Sequence, residues 1–331
     1  MKTTGIFLNS LGTYIPDVVY AVAPPEDAML GCAVAGDTPA VEMALSATRQ
    51  ALARWGQSTD DLVLLLSAEV NPSGPDGWLQ HSYLQRYAVG GHVLAAGLRQ
   101  GCNGVFGALE LAAAYLETQP ESKAAVVTAA ENHDSSLLDR WSALEDYCMG
   151  DGATALVVSK SPGFARLRSV TSATVAELEE MHRGDEPLHP ASVLSGRRTS
   201  FRDRGDAFGN AGKFTPELVM DLIKTMGELT ARVLDEAGIT KADVARLVVF
   251  NGPWRDLEAY ATAIGLPREQ TTWEWGRSIG HSANDHWFAL ENLLNEREVS
   301  VGDNLLLIGV GPGLNLATAV IEITDQPQWL Q

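Results

Sequence analysis

Cys102 lies in the stretch Leu98-Arg99-Gln100-Gly101-Cys102-Asn103-Gly104-Val105-Phe106-Gly107, where a loop gives way to the apolar, helix-like run Ala108 to Leu116. A cysteine at such a junction faces unsatisfied backbone N–H groups and the positive end of the helix macrodipole, and both favour the thiolate over the thiol. About 180 residues later, Gly280-His281-Ser282-Ala283-Asn284-Asp285 opens a second helical run, Trp287 to Asn295, where Ala289-Leu290-Glu291 matches Ala108-Leu109-Glu110. Residues i and i+4 share one face of a helix, so Asp285 can accept a hydrogen bond from one imidazole nitrogen of His281 and leave the other free to move a proton. A nucleophile at one helix start and a carboxylate-paired base at another is the equipment of covalent acyl transfer. The reading expected from these residues is an enzyme.

The elements that must position them are duplicated. Thr38-Pro39 begins a helical pattern through Leu52, Gly56 ends it, and an apolar strand runs Leu62 to Leu66. Thr215-Pro216 likewise begins a helical pattern through Leu234, Gly238 ends it, and a strand runs Val244 to Phe250. Threonine before proline reads as an N-cap and a favoured first helical residue, and the glycines sit where helices stop. After the second helix of each half comes another apolar strand, Ala124 to Ala129 and Leu305 to Val310. Each half then closes with a further strand, Ala153 to Val158 and Ala317 to Ile323. The offset stays between about 177 and 182 residues throughout. Such a long-period duplication of alternating strands and helices predicts two α/β halves related by a pseudo-twofold, residues 1–160 and 161–331, joined near Ser159 to Pro162. The stretch Leu178 to Lys213, rich in Gly, Pro and charge, reads as a long functional loop.

Composition narrows the class. The chain has 331 residues, 45% of them hydrophobic, enough for a large core. A formal net charge of −18 argues against nucleic acid and against anionic membrane surfaces. No apolar run approaches the roughly 20 residues needed to cross a bilayer, and Asn9, Gly12, Pro16 and Asp17 interrupt any signal-like segment. Three cysteines at irregular spacing (Cys32, Cys102, Cys148) form neither a disulfide framework nor a CxxC site, and fit a reducing cytoplasm. His286 beside His281 and Asp285 invites a metal reading, but further ligands at recognisable spacing are missing, so none is expected. Gly309 to Gly313 is no dinucleotide loop, because a strand-like run follows it where such a loop requires a helix. Against the acidic background, Arg197, Arg198, Arg202 and Arg204, with Lys213 nearby, form a local basic cluster.

Three motifs and the duplicated halves carry a family likeness. They are Gly101-Cys102-Asn103-Gly104 at the nucleophile turn, Met149-Gly150-Asp151-Gly152-Ala153 before a strand, and Gly309-Val310-Gly311-Pro312-Gly313 before the last strand. In this order and spacing the chain resembles a thiolase-superfamily protein of the ketoacyl-ACP synthase III type over nearly its whole length. The resemblance implies a five-layered αβαβα thiolase fold, a homodimer, and an oxyanion site built from the backbone N–H groups of Cys102 and Gly313. It also marks departures. Decarboxylating members carry a His where this chain reads Phe250-Asn251-Gly252-Pro253-Trp254, and an Asn where it has His281. This exchange, with Asp285 one turn on, resembles the Cys/His/Asp acyltransferase subgroup of secondary metabolism. A carboxylate-paired imidazole is a stronger base than the pair of neutral donors that stabilises an enolate, and so suits a hydroxyl or amine acceptor. Asn251 could still donate a hydrogen bond.

The expected reaction is therefore ping-pong transfer of an acyl group through an acyl-Cys102 intermediate to a hydroxyl or amine of a natural-product acceptor of polyketide, sugar or aminocyclitol type. The alternatives are a carbon–carbon bond-forming condensing enzyme and a non-catalytic partner subunit. No permanently bound cofactor is expected; the acyl thioester is a co-substrate. Ala21 to Ala35 lacks the Trp and Arg that resemble the family's grip on coenzyme A, which favours an acyl carrier protein as donor. The cluster Arg197, Arg198, Arg202, Arg204 and Lys213 is the expected dock for that acidic carrier. Trp78, where the family reaches across its dimer, and Trp254 are the expected pocket walls.

Overall fold

The computed structural model describes residues 1–71, 73–135, 137–190 and 196–330. Among them, nine strands form one mixed sheet in the order β5-β4-β6-β7-β1-β8-β11-β10-β9. The strands of the first half are β1 (Lys2–Tyr14), β4 (Leu62–Ala68), β5 (Leu94–Leu98), β6 (Ala124–Glu131) and β7 (Gly152–Ser159). Those of the second are β8 (Ala165–Thr174), β9 (Val244–Val249), β10 (Asn304–Gly311) and β11 (Asn315–Ile323). A two-stranded hairpin, β2 (Val18–Tyr20) and β3 (Gly31–Ala33), stands apart.

Apart from the edge strand β5, which has no counterpart, the sheet order mirrors itself about the β1–β8 join, as the duplicated sequence predicts. On one side β7, β6 and β4 follow β1; on the other, β11, β10 and β9 follow β8. In each half the two outermost of these strands pair in parallel, β4 with β6 and β9 with β10; β5 adds to β4 in parallel, and the other pairs are antiparallel. β1 makes the join by changing partners along its length. Residues 2–8 pair with β8 and residues 7–14 with β7. Its polar positions hid it as a strand in the sequence. Asn9 is spent at the junction, where its amide donates to the carbonyls of Ser161 and Pro162 at 3.0 and 3.2 Å.

Side-chain parity builds the layers. The helices are α1 (Ala40–Trp55), α2 (Gln80–Leu84), α3 (Gly104–Glu117), α4 (Phe201–Asn210), α5 (Pro216–Ala237), α6 (Trp254–Ile264), α7 (Trp273–Gly276) and α8 (Asp285–Asn295). Ala125, Val127, Leu156 and Val158 of the first half, and Leu305, Leu307, Ala319 and Ile321 of the second, share one core with α3 and α8. Their neighbours in sequence face outward. Val126, Ala155 and Val157 pack with α1, while Leu306, Ile308 and Val320 pack with α5 and α6. The result is helix, sheet, helix, sheet, helix, the thiolase arrangement, and continuous apolar strands are what a sheet covered on both faces requires. The two helices led by Cys102 and His281 fill the central layer.

Local signals hold with two shifts. Thr215 caps α5 by accepting from the Leu218 N–H, and Gly56 and Gly238 end their helices in the left-handed conformation. Thr38 does not cap α1, which starts after Pro39 with no side-chain cap. The stretch expected as a loop from Leu178 to Lys213 holds a helical turn at Ala176–His182 and the helix α4, capped by Ser200 through the Asp203 N–H. Residues 191–195 of that stretch lie outside the described residues. Among the described residues no helix is long and apolar enough to cross a membrane.

Candidate active site

Cys102 sits just ahead of Asn103, the N-cap of α3, and is buried. The turn between β10 and β11 closes over it. A side chain at Gly311 would place its Cβ 3.3 Å from the Cys102 backbone nitrogen, so only glycine lets the two turns meet this closely without displacement. Burial raises the thiol above its ordinary range, and nearby His281 pulls it partly back. This corrects the expectation that the helix terminus would settle the thiol's state. Cys102 precedes the cap, outside the first turn where the dipole acts, and desolvation of a thiolate outweighs it.

His281 is the thiol's electrostatic partner, the neighbour that draws it back down. Its Nδ1 lies 2.9 Å from Asp285 Oδ2, so Nε2 is the nitrogen left for Cys102. Burial opposes charge on the imidazole. Negative charge at Cys102 and at Asp285 outweighs it and holds the group well above the usual histidine range. Burial thus favours the proton on sulfur, while Asp285 favours it on the imidazole. Asp285 is itself fixed by other donors. Its Oδ1 accepts from the Ser282 N–H at 2.7 Å and hydroxyl at 3.2 Å, and its Oδ2 from the Asn251 N–H at 2.8 Å.

The backbone holds His281 from below. Its N–H donates to the Cys148 carbonyl at 2.8 Å, and its own carbonyl accepts from Gly150 N–H at 3.0 Å. Gly280 turns the chain into this position at φ 90°, with Cys32 and Gly150 filling the space a side chain would need. Asp151, the acid of the Gly-Asp-Gly motif, locks the neighbouring strands. It pairs with Arg140 at 3.0 Å and accepts from the Ala35 and His133 N–H groups at 2.9 and 2.8 Å. Burial opposes its charge, but these donors prevail and bring the carboxyl down to about 2.

The remaining expected residues divide. Asn251 is buried beside the pair, but its amide N–H donates to the Gly280 carbonyl at 2.8 Å. It braces the His281 turn. Gly313 lies in the β10–β11 turn with φ 79°. Trp254 packs edge-on against Trp273, with Arg268 over its ring, in the outer core of the second half and not against Cys102. Trp78 packs on Tyr83 near the outer core of the first half, away from its own chain's Cys102. The basic cluster is largely neutralised. Arg197 and Arg204 both bind Glu186, Lys213 binds Glu180, and Arg198 lies 3.4 Å from Asp139. Arg198, Arg202 and Lys213 keep half or more of their side chains exposed, 64%, 50% and 51%. His286 is a core residue, with Nε2 2.6 Å from the Ile308 carbonyl and its ring against Phe106.

Three site residues were not read from the sequence. Glu131, at the buried end of β6, accepts from the Ala283 N–H at 3.1 Å and lies within electrostatic reach of Cys102 and His281. Burial raises its carboxyl. An acid closing an otherwise apolar strand was the available signal. Tyr147 and Phe250 stand edge-on to the His281 ring, at 5.5 and 6.1 Å between centroids. No local pattern marks them, because a tertiary turn brings them there.

Fold and sequence together define the class: the chain belongs to the ketoacyl-ACP synthase III family of the thiolase superfamily, and is an enzyme of that superfamily. Residues 97–175 match the family described as 3-oxoacyl-[acyl-carrier-protein (ACP)] synthase III, and residues 234–323 match its C-terminal region. Within the family, a solved structure described as ChlB3, an acyltransferase, is 40% identical, covers 98% of this chain and 100% of that one, and superposes with a TM-score of 0.92. The 3-oxoacyl-[acyl-carrier-protein] synthase III of Aquifex aeolicus VF5 shares the fold at a TM-score of 0.75 and 22% identity, over 96% and 100% of the two chains. The β-ketoacyl-[acyl-carrier-protein] synthase III of Geobacillus kaustophilus is 27% identical over 281 residues, 85% of this chain and 82% of that one.

Proposed function

We propose that the protein transfers an acyl group from a carrier-protein thioester, through a thioester on Cys102, to a hydroxyl or amine of a small natural-product acceptor. The observation that carries this is the His281–Asp285 pair set on a buried Cys102. Cys102 Sγ gives its proton to His281 Nε2 and attacks the thioester carbonyl. The tetrahedral oxyanion is held by the backbone N–H groups of Cys102 and Gly313. The carrier thiol leaves with the proton from Nε2. His281 then takes the proton of the acceptor, which attacks the acyl-Cys102 carbonyl, and the sulfur leaves and regains that proton. Asp285 supports the imidazolium formed in each half. No resident cofactor enters these steps.

Several features favour a carrier protein over free coenzyme A. The segment where the family's Trp and Arg grip is missing folds here as the β2–β3 hairpin, and the similarity to ChlB3 points to the acyltransferase branch. Arg198, Arg202 and Lys213 are the exposed cations for meeting an acidic carrier, and a homodimer is the expected assembly. A second reading, condensation to a carbon–carbon bond, draws on the names of the more distant relatives. It is disfavoured by Asn251, whose amide is committed to the Gly280 carbonyl. The test is the intact mass after incubation with a panel of acyl thioesters, free and carrier-bound. One added acyl group on the native chain and none on Cys102→Ala supports the reading. No loading from any thioester overturns it in favour of a partner subunit.

A further inference from the structure

Behind the His281 turn lies a set of titratable groups that the transfer steps do not use: Glu131, His133 and Asp151, all buried, and Arg140. The N–H groups of the turn lead to them. From His281 to Asp285, those of Ser282, Asn284 and Asp285 are met inside the turn, by the Asp285 carboxylate, the Ser282 hydroxyl and the Ser282 carbonyl. The other two reach outside it. The His281 N–H donates to the Cys148 carbonyl at 2.8 Å, and the Ala283 N–H to Glu131 Oε2 at 3.1 Å. His133 joins these two anchors. Its Nε2 lies 3.7 Å from Glu131 Oε2 and its Nδ1 3.3 Å from Asp151 Oδ1. Asp151 is paired with Arg140, whose Nη1 also donates to the Met149 carbonyl at 3.0 Å, next to Cys148. One imidazole therefore stands between the acid that holds Ala283 and the acid–guanidinium pair that holds the lead-in beneath His281.

We propose that Glu131 and His133 are positioning residues for His281, a linked pair that clamps the His281–Asp285 turn from outside and so keeps the imidazole on Cys102. Asp285 decides which nitrogen of His281 is left for the thiol, but it belongs to the same turn and moves with it. Glu131 closes β6, a different element, and grips the turn at its centre, between His281 and Asp285. An acid is a costly residue for that task. Its other oxygen, Oε1, is buried with no partner among the described residues, and an uncompensated buried acid is destabilising. The His133 ring, with a nitrogen turned toward each of two acids, offsets that cost, so neither residue holds the turn without the other. The inference rests on the acyl-transfer reading and adds two residues to the same site.

The test uses the full-length protein and the rate at which Cys102 is acylated by whichever of acetyl-, butyryl-, hexanoyl- and benzoyl-N-acetylcysteamine loads the native chain. Glu131→Gln keeps an oxygen for the Ala283 N–H; Glu131→Met keeps the length of the side chain and offers none. Glu131→Met should lower the maximal loading rate by about 10- to 100-fold, the loss expected when a base is displaced by about 1 Å, with the half-saturating concentration unchanged. Glu131→Gln should recover most of that rate. Equal losses in the two variants, or a loss confined to the half-saturating concentration, would overturn the assignment. His133→Leu should lose as much as Glu131→Met, and the double variant should fall no further; losses that multiply would break the link between the two. A second readout needs no thioester. In protein carrying isotope-labelled histidine, the downfield proton between His281 Nδ1 and Asp285 is assigned by its absence from His281→Ala. It should shift or broaden in Glu131→Met and stay in place in Glu131→Gln. An unmoved signal in Glu131→Met refutes the clamp. If the native chain loads no thioester while the signal still responds, the transfer reading fails and the positioning of His281 stands.

Discussion

The two turns that lead into the central helices are built on one plan and serve opposite ends. Ahead of α3, Asn103 donates its amide across to the other half, to Asn315 at the start of β11, at 2.8 Å to the backbone carbonyl and 3.0 Å to the side chain. Ahead of α8, Asn284 returns the gesture. It accepts from Thr154 at 2.8 Å and donates to the Gly152 carbonyl at 3.2 Å, both at the start of β7. Each asparagine therefore ties its helix to the last strand of the opposite half. The difference lies one position or more upstream. Cys102 is drawn down only by its neighbour His281, whereas His281 rests on Asp285, and Asp285 on Ser282 and Asn251. The shared frame sets where the reacting atoms meet. The unshared donors set which of them holds the proton.

The sharpest way to break this asymmetry is at Asp285. Asp285→Asn should lower transfer by about 10²- to 10⁴-fold, the range for losing an effective general base. Asp285→Ala should also cost roughly 2–5 kcal/mol in urea unfolding, because the buried N–H groups of Asn251 and Ser282 lose their acceptor. Cys102→Ala should abolish acyl loading yet cost only about 1 kcal/mol of stability, since nothing else leans on the thiol. Equal stability losses at the two positions would end the contrast between a supported and an unsupported turn.

Asp151 sharpens it through pH. Its carboxyl is held near 2 in the fold, against roughly 3.9 in an unfolded chain. A depressed carboxyl contributes stability above the unfolded value and loses it as pH falls through the folded one. On the order of 2 kcal/mol should therefore disappear between about pH 4 and pH 2. Asp151→Asn should lack that part of the acid dependence when Tm is followed across the same range.

The paired asparagines come next. Asn103→Ala and Asn284→Ala each leave buried groups of the opposite half unpartnered and should each cost about 1–3 kcal/mol. The reciprocity predicts similar losses measured by chemical denaturation. A much larger loss at Asn284 would mean that the His281 side carries the join between the halves alone.

How much of this was legible in the sequence follows the range of the interaction. The duplicated Thr-Pro starts, glycine stops and apolar strands place α1, α5, β4 and β9 within a few residues, because caps and periodicity are local. The mirror order of the sheet follows from the repeat, and the i, i+4 spacing anticipated the His281–Asp285 bond. What was not legible shares one cause. The strand β1 carried no strand signal because polar residues such as Asn9 serve contacts with the other half. The helix start at Cys102 pointed to a thiolate, whereas burial, a tertiary property, raises the thiol. The ion pairs of the basic cluster were not visible because Glu186 and Glu180 are brought to it only by the fold. Tyr147 carries no motif, since a tertiary turn sets it beside His281.

The smallest effect tests the electrostatic side of the comparison. The Cys102 thiol is raised by burial and, more weakly, by Glu131 and Asp285, while His281 alone of its charged neighbours draws it down. Removing the imidazole leaves only the raising influences. Site-resolved alkylation of Cys102 with iodoacetamide should then rise at higher pH in His281→Ala than in the native chain. Glu131→Gln should move the profile the opposite way, since it removes one raising influence and keeps an acceptor for the Ala283 N–H. If His281→Ala leaves the profile in place, the thiol is set by burial alone. The two turns would then be coupled only through their asparagines and not through the pull of His281 on Cys102.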